Sequence, residues 1–420
     1  LVSVHRRWIL GAGMTGLAAS WASGVPALEA SSLPGGICRT YRVGGYQFEN
    51  GGGHWIFGGD PILNRFLENL TPLRFYHRRS SVWLPSLGCF APYPIQNHLH
   101  ALPAAMARTI VDEMKHAPAN RSGVLSEWLR ESFGPTLYDL FFGPFHDLYT
   151  AGHTAQIAVQ DVFKTPLDLK AVERGLAGSA PETGYNQTFS YPPAGLDALV
   201  GARAAQGNIR AGHAVSAVNP RGREVALADG RMLPFDWLLS TIPLDRMLEL
   251  AGIAMEEAPG IRTAVLVLNV GGERGPSLTD DHWIYVPASR AGFHRVGVYS
   301  NVDPLFVPGG NSQLASFYIE RAFPCGRHPG DAAVAQYTGE AVRELQEWGW
   351  LGEVHVTSPS WVDTAYTWSR PGSAWREQAI EQLRQQHIHM TGRYGKWRFQ
   401  GIADSLRDGI LAGAALRAGL

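Results

Sequence analysis

Nothing constrains this chain more than a glycine turn set between a short strand and a small-residue helix near its start. Trp8-Ile9-Leu10 is an apolar run, Gly11-Ala-Gly13-Met14-Thr15-Gly16 follows at once, and Leu17 to Ala22 continues with helix-forming residues. A dinucleotide pyrophosphate requires that order. Gly11 permits a tight turn out of the strand, Gly13 lets backbone N–H groups approach the phosphates with no Cβ in the way, and Gly16 lets helix and strand pack closely. The helix N-terminus, with Met14 and Thr15 in its first turn, presents unpaired donors and a positive dipole end to the anion. A second apolar run, Val25 to Leu28, ends in Glu29, near the spacing at which a carboxylate accepts hydrogen bonds from a ribose.

The next residues bear on which dinucleotide is meant. Pro34-Gly35-Gly36-Ile37-Cys38-Arg39 follows the acid, and Gly51-Gly52-Gly53-His54-Trp55-Ile56-Phe57 comes one expected hairpin later. On these motifs the chain resembles the flavin adenine dinucleotide (FAD) proteins of the amine oxidase and protoporphyrinogen oxidase superfamily. Within it, the GGHWIF segment looks most like UDP-galactopyranose mutase and its relatives. The resemblance implies that Gly36 and Arg39 line the flavin chain, and that Gly53 and His54 border the isoalloxazine. It also implies that the backbone at Val215 meets the adenine. Near the C-terminus, Gly392-Arg393-Tyr394-Gly395-Lys396-Trp397 and the helix after it, with Asp404 and Ser405, are expected to return to the flavin and pyrophosphate.

At 420 residues the chain is longer than one core usually supports. The expected fold is α/β: a Rossmann-like FAD-binding domain, made discontinuous by a helical insertion and a mixed β-sheet substrate domain. The FAD-binding unit is expected to take residues 1–90, 186–250 and 386–420, the mainly helical insertion 91–185, and the sheet domain 251–385. Apolar spacing through Val124, Trp128, Phe133, Leu137 and Phe141 has the helical period within that insertion.

With 17% charged residues and a net charge of −1, the chain has no overall basic field for nucleic acid. No run of about 18 apolar residues suggests a membrane span. The three cysteines, at 38, 89 and 325, are too few and too scattered for a disulfide framework or a zinc site. With the first strand starting so early, no secretion signal is expected and a cytoplasmic setting is the expectation.

For the substrate, the resemblance implies a redox-neutral reaction: pyranose/furanose ring isomerisation of a nucleotide-activated sugar through N5 of reduced FAD, with NAD(P)H or another reductant supplying electrons. Phe293-His294-Arg295-Val-Gly-Val-Tyr299-Ser-Asn301 is similar to the family's FYRATIFSN, which makes Arg295 the diphosphate clamp and Asn301 a substrate contact. Trp283-Ile-Tyr285-Val-Pro287 matches WLYFP, so Tyr285 is a substrate contact, and Tyr366 falls where a phosphate-binding tyrosine is expected. With Arg295, His54 and Tyr366 are the expected catalytic group. Gly143 to Thr150 matches the uridine loop but offers His146 and Tyr149 or Thr150, which leaves the base open. Gln96 and Asn97, in a Pro-punctuated segment, either hold flavin or substrate edges or cap a turn. Lys164 is the basic residue nearest the position of another clamp, as a point charge rather than a fork. Two family tyrosines are replaced by Val302 and Phe399, each removing a charge-assisted hydrogen bond of about 1.5–3 kcal/mol. An altered glycosyl donor is one consequence; an FAD-dependent oxidase or dehydrogenase of the same superfamily is the alternative.

Overall fold

The computed structural model describes residues 6–58, 60–162, 165–179 and 187–418. Lys164 therefore lies outside the described residues. Five short strands make a parallel sheet in the spatial order Ile209–Arg210, Ala27–Leu28, Arg7–Leu10, Trp237–Ser240, Ile388–Met390. Their sequence positions show why no single stretch of chain forms this lobe. Helix Met14–Ser23 leaves the central strand and packs along Ile402–Ala418. Glycines set that spacing, because a Cβ on Gly409 would stand 2.2 Å from the Thr15 carbonyl oxygen and one on Gly413 2.5 Å from that of Ala19.

The second sheet has seven strands, in the order Leu351–Trp368, Ile261–Arg274, Leu314–Pro324, Arg295–Val298, Trp283–Tyr285, Ser80–Leu84, Cys89–Pro92. Its pairs are antiparallel except Trp283–Tyr285 with Ser80–Leu84, so it is mixed. The last two strands depart from the expected division at residue 90, since residues 80–92 complete the substrate sheet rather than the nucleotide-binding unit. Cross-strand pairing decides this, and it is invisible in local composition. Helix Asp331–Glu347 covers the outer face of the sheet through Tyr337, Ala341 and Leu345. The 251–385 segment is thus more helical than its strand-rich reading suggests, with Trp375–Gln385 as a further helix.

The helical unit contains Ala104–Lys115, Leu125–Leu137, Gly143–Tyr149 and Leu169–Leu176 around a core that includes Leu129, Phe133 and Phe142. It is interrupted where the uniform period predicts continuity. Gly134 takes φ 77° ahead of Pro135, and Tyr138–Phe142 forms a π-helical turn. Such turns rotate side chains off the regular helical face. Phe141 and Phe142, both in that turn, reach the cavity described next.

Candidate active site

A cavity of about 700 Å³ runs from the C-terminal edge of the parallel sheet to the mixed sheet and the helical unit. At its nucleotide end, Gly11 has φ 90°, and a Cβ there would meet Thr241 Oγ1 at 2.4 Å. A Cβ on Gly16 would sit 1.9 Å from the Gly11 carbonyl oxygen, so Gly16 works beneath the turn rather than in the cavity wall. An added Cβ on Gly13 meets nothing within 4 Å and would occupy the open floor of the cleft. The helix that starts at Met14 has no side-chain cap, leaving its first N–H groups to an anionic ligand.

Glu29 is fixed at the end of its strand. One carboxylate oxygen accepts from the Ala12 N–H at 2.8 Å, the other from the Ser31 N–H and hydroxyl at 3.0 and 2.6 Å. The cavity wall then includes Val215 beside Glu29, Gly36 beside Gly13, and Gly392 with Arg393 and Ser405 from the chain's far end. Gly392 has φ 76°, and a Cβ there would reach Thr15 within 3.0 Å. Arg393 donates to the carbonyls of Ala365 at 2.9 Å and Gln400 at 3.2 Å and lies over Phe399. An uncapped helix end that donates, a cleft floor kept open at Gly13 and a held carboxylate that accepts are the groups that an adenine dinucleotide needs. The residues fit FAD.

Beyond the glycine cradle stands His54, beside Gly53, where a Cβ would strike the Tyr318 hydroxyl at 2.4 Å. His54 Nδ1 faces the Gly52 carbonyl at 3.0 Å, which assigns the proton to Nδ1 and leaves Nε2 as acceptor. Burial, helped by Arg393, lowers its pKa to about 4, so the ring is neutral.

Arg295 and Glu320 face each other across paired antiparallel strands. The guanidinium grips the carboxylate, Nε at 3.1 Å and Nη2 at 2.6 Å from each oxygen, and Nη2 also reaches the Tyr366 hydroxyl at 3.3 Å. Glu320 is buried, yet the guanidinium holds its pKa down to about 2 against that burial. Burial pushes the Tyr366 phenol well up, keeping it a proton donor.

The remaining walls are aromatic. Trp283 Nε1 donates to the Tyr285 hydroxyl at 3.2 Å, and the Tyr149 ring meets Tyr366 edge-on with centroids 4.6 Å apart. His146 also lines the cavity, its Nδ1 2.7 Å from the Phe142 carbonyl, and burial lowers its pKa to about 4.

The structure therefore brings Arg295, His54, Tyr285, Tyr366, Tyr149 and His146 to one chamber. Other expected contacts are corrected. The Arg39 Nε pairs with Asp197 at 3.2 Å instead of lining the cavity, and Asp404 accepts from the Gly401 N–H at the same distance, serving its own helix end. Asn301 donates to the carbonyls of Thr279 and Asp281, both at 2.8 Å, and accepts from Arg274, bracing a loop away from the chamber. Gln96 donates to the Pro166 carbonyl at 2.9 Å, and Asn97 lies under helix Leu169–Leu176, where Gly175 makes room for its carbonyl. Both are buried in the helical unit, and neither side chain caps the turn Ile95–Asn97. Sequence reasoning missed Glu320, His294, Tyr318 and Trp283. A charged residue inside the apolar run Phe317-Tyr318-Ile319-Glu320 was the available signal for the first.

This fold and cleft define a dinucleotide-binding protein with an aromatic-walled chamber beyond the nucleotide end. A family profile described as flavin-containing amine oxidoreductase matches residues 27–415, and the chain belongs to that family, which makes it a flavin-dependent enzyme. Among solved structures, a reduced UDP-galactopyranose mutase superposes with TM-score 0.86 at 21% identity, covering 99% of this chain and 96% of that one. A protein described as a candidate protoporphyrinogen oxidase from Exiguobacterium sp. 255-15 gives 0.76 at 18%, with both chains fully covered. A redesigned putrescine oxidase gives 0.63 at 15%, covering 99% of each chain. At these identities the likeness establishes the fold. Among the described residues no helix is long and apolar enough to cross a membrane.

Proposed function

We propose that the protein is an FAD-dependent sugar mutase that interconverts the pyranose and furanose forms of a nucleotide-activated sugar. The observation that carries this reading is the gathering of Arg295, Tyr285 and Tyr366 in one chamber that opens onto His54 and the glycine cradle. Bound in its reduced form, FAD supplies an electron-rich centre for substitution at a sugar carbon without net oxidation. The chain's own residues hold the departing diphosphate, whose charge grows as its bond to the sugar breaks. Arg295 Nη1 has no acceptor among the described residues, so it can donate there. The phenols of Tyr285 and Tyr366 are the other donors, and such charge-assisted bonds strengthen as the oxygen becomes anionic. His54 adds no charge beside the flavin, and Phe141, Phe145 and Tyr149 keep water from the reacting sugar.

The test is dithionite-reduced holoenzyme with UDP-galactose. Formation of the furanose isomer with no oxygen consumed supports the reading. Absence of any isomer across a panel of sugar nucleotides overturns it. One observation favours a second reading, an FAD-dependent oxidoreductase acting on a neutral or cationic substrate: the Glu320 carboxylate already matches the Arg295 charge. In that case oxidised enzyme loses its yellow colour on adding substrate and recovers it with an oxidant.

A further inference from the structure

We propose that Glu320 is a specificity-determining residue that sets the charge presented by the Arg295 wall of the chamber, by holding Arg295 in a matched pair. Arg295 alone would make this wall an anion clamp. The opposing strand instead places a carboxylate directly across from it, and Nε and Nη2 are both spent on Glu320. Only the Nη1 edge remains for a ligand, so the guanidinium meets a substrate oxygen singly rather than as a two-pronged fork.

The surroundings hold the carboxylate in place. Gly52 has φ 85°, and a Cβ there would stand 2.9 Å from Glu320 Oε1, so the glycine run ahead of His54 also makes room for this acid. Tyr366 Oη lies 3.4 Å from Oε2 and His294 Nε2 lies 3.4 Å from the same atom. His294 is buried and its pKa is lowered by that burial, so it contributes no compensating charge. His54 is neutral too. Arg78, Arg246 and Arg393 line the same cavity as further cations, and Arg393 donates to carbonyls near the C-terminal turn, so Glu320 matches the charge of Arg295 and not of the whole cavity. The wall carrying Arg295 thus has a net charge near zero, and an anionic ligand approaching Nη1 also meets the field of Glu320. A built-in repulsive element of this kind discriminates against polyanions while leaving neutral hydroxyls nearly unaffected. It favours the oxidative reading over the redox-neutral one, in which the same wall has to hold a diphosphate, and its test uses binding alone.

The probe is inorganic pyrophosphate titrated into holoenzyme at fixed low ionic strength, read by perturbation of the bound flavin's absorption. Glu320→Gln keeps the shape and removes the charge, and it should bind pyrophosphate at least tenfold more tightly than wild type. Arg295→Met combined with Glu320→Gln removes both charges, and its affinity should stay within tenfold of wild type. If Glu320→Gln retains FAD without tighter pyrophosphate binding, the proposal is overturned. If that variant fails to hold FAD, the double variant decides. A loss beyond tenfold would mean Arg295 clamps anions despite its partner and would overturn the proposal; affinity within tenfold supports it.

Discussion

The two ends of the cavity are built from different materials. At the nucleotide end the working groups are mostly backbone: the N–H groups at Met14, the glycine surfaces at 11, 13 and 392, and one carboxylate, Glu29. At the substrate end they are side chains brought from separate strands and helices, with Arg295, Glu320, Tyr366 and Tyr149 each on its own element. Backbone sites tolerate little change at their glycines: a Cβ at Gly16 collides with the Gly11 carbonyl, Gly11 and Gly392 hold positive φ, and a Cβ at Gly13 would stand in the cleft itself. Side-chain sites can change chemistry one residue at a time while the fold persists.

That contrast can be broken first at Gly16. Gly16→Ala places a methyl 1.9 Å from the Gly11 carbonyl oxygen, and the expected outcome is loss of bound flavin and of the folded cofactor lobe, measured by flavin stoichiometry and thermal unfolding. A yellow, stable variant would show that the turn has slack. At the other end, Arg295→Ala should leave FAD bound and abolish turnover. It should also cost about 3–5 kcal/mol of stability, because Glu320 is left as an uncompensated buried charge. Denaturant unfolding separates the two effects, and full activity would remove Arg295 from its role.

Glu29→Ala should weaken FAD by about 1.5–3 kcal/mol, through the lost acceptor for the Ala12 N–H and the ribose. Apoprotein titration measures this. Tyr366→Phe removes one charge-assisted donor, about 1.5–3 kcal/mol, and should lower kcat at least tenfold while leaving flavin affinity unchanged. Equal losses in both would mean that the two ends are coupled.

The smallest expected effect is on pH dependence. His54 and His146, one near each end, have folded pKa values near 4 against an ordinary 6.5. Below 6.5 the unfolded chain binds more protons, so the stability these rings contribute is complete above that pH and is lost as pH falls toward 4. Unfolding free energy should decline over that window, and His146→Phe should make the decline shallower. An identical slope in the variant would place its titration elsewhere.

The same division explains what was readable in advance. The strand, glycine turn, helix and acid of residues 7–29 are consecutive, so periodicity and glycine spacing expose them directly. Tyr285, Arg295 and Tyr366 could be singled out because short family motifs surround them. Glu320 has no such motif; its meaning lies in register, opposite Arg295 on the neighbouring strand. Asn301 shows the converse, a motif position whose side chain is taken up by the carbonyls of Thr279 and Asp281. The π turn at Tyr138–Phe142 also escaped a reading that assumed an even helical period.

By itself the sequence determined where backbone must be bare and where an acid must follow, since those demands act between residues close in the chain. Tertiary structure alone decided that Arg295 faces a carboxylate. Electrostatic pairing depends on distance in space, and Arg295 and Glu320 become neighbours only when their two strands pair.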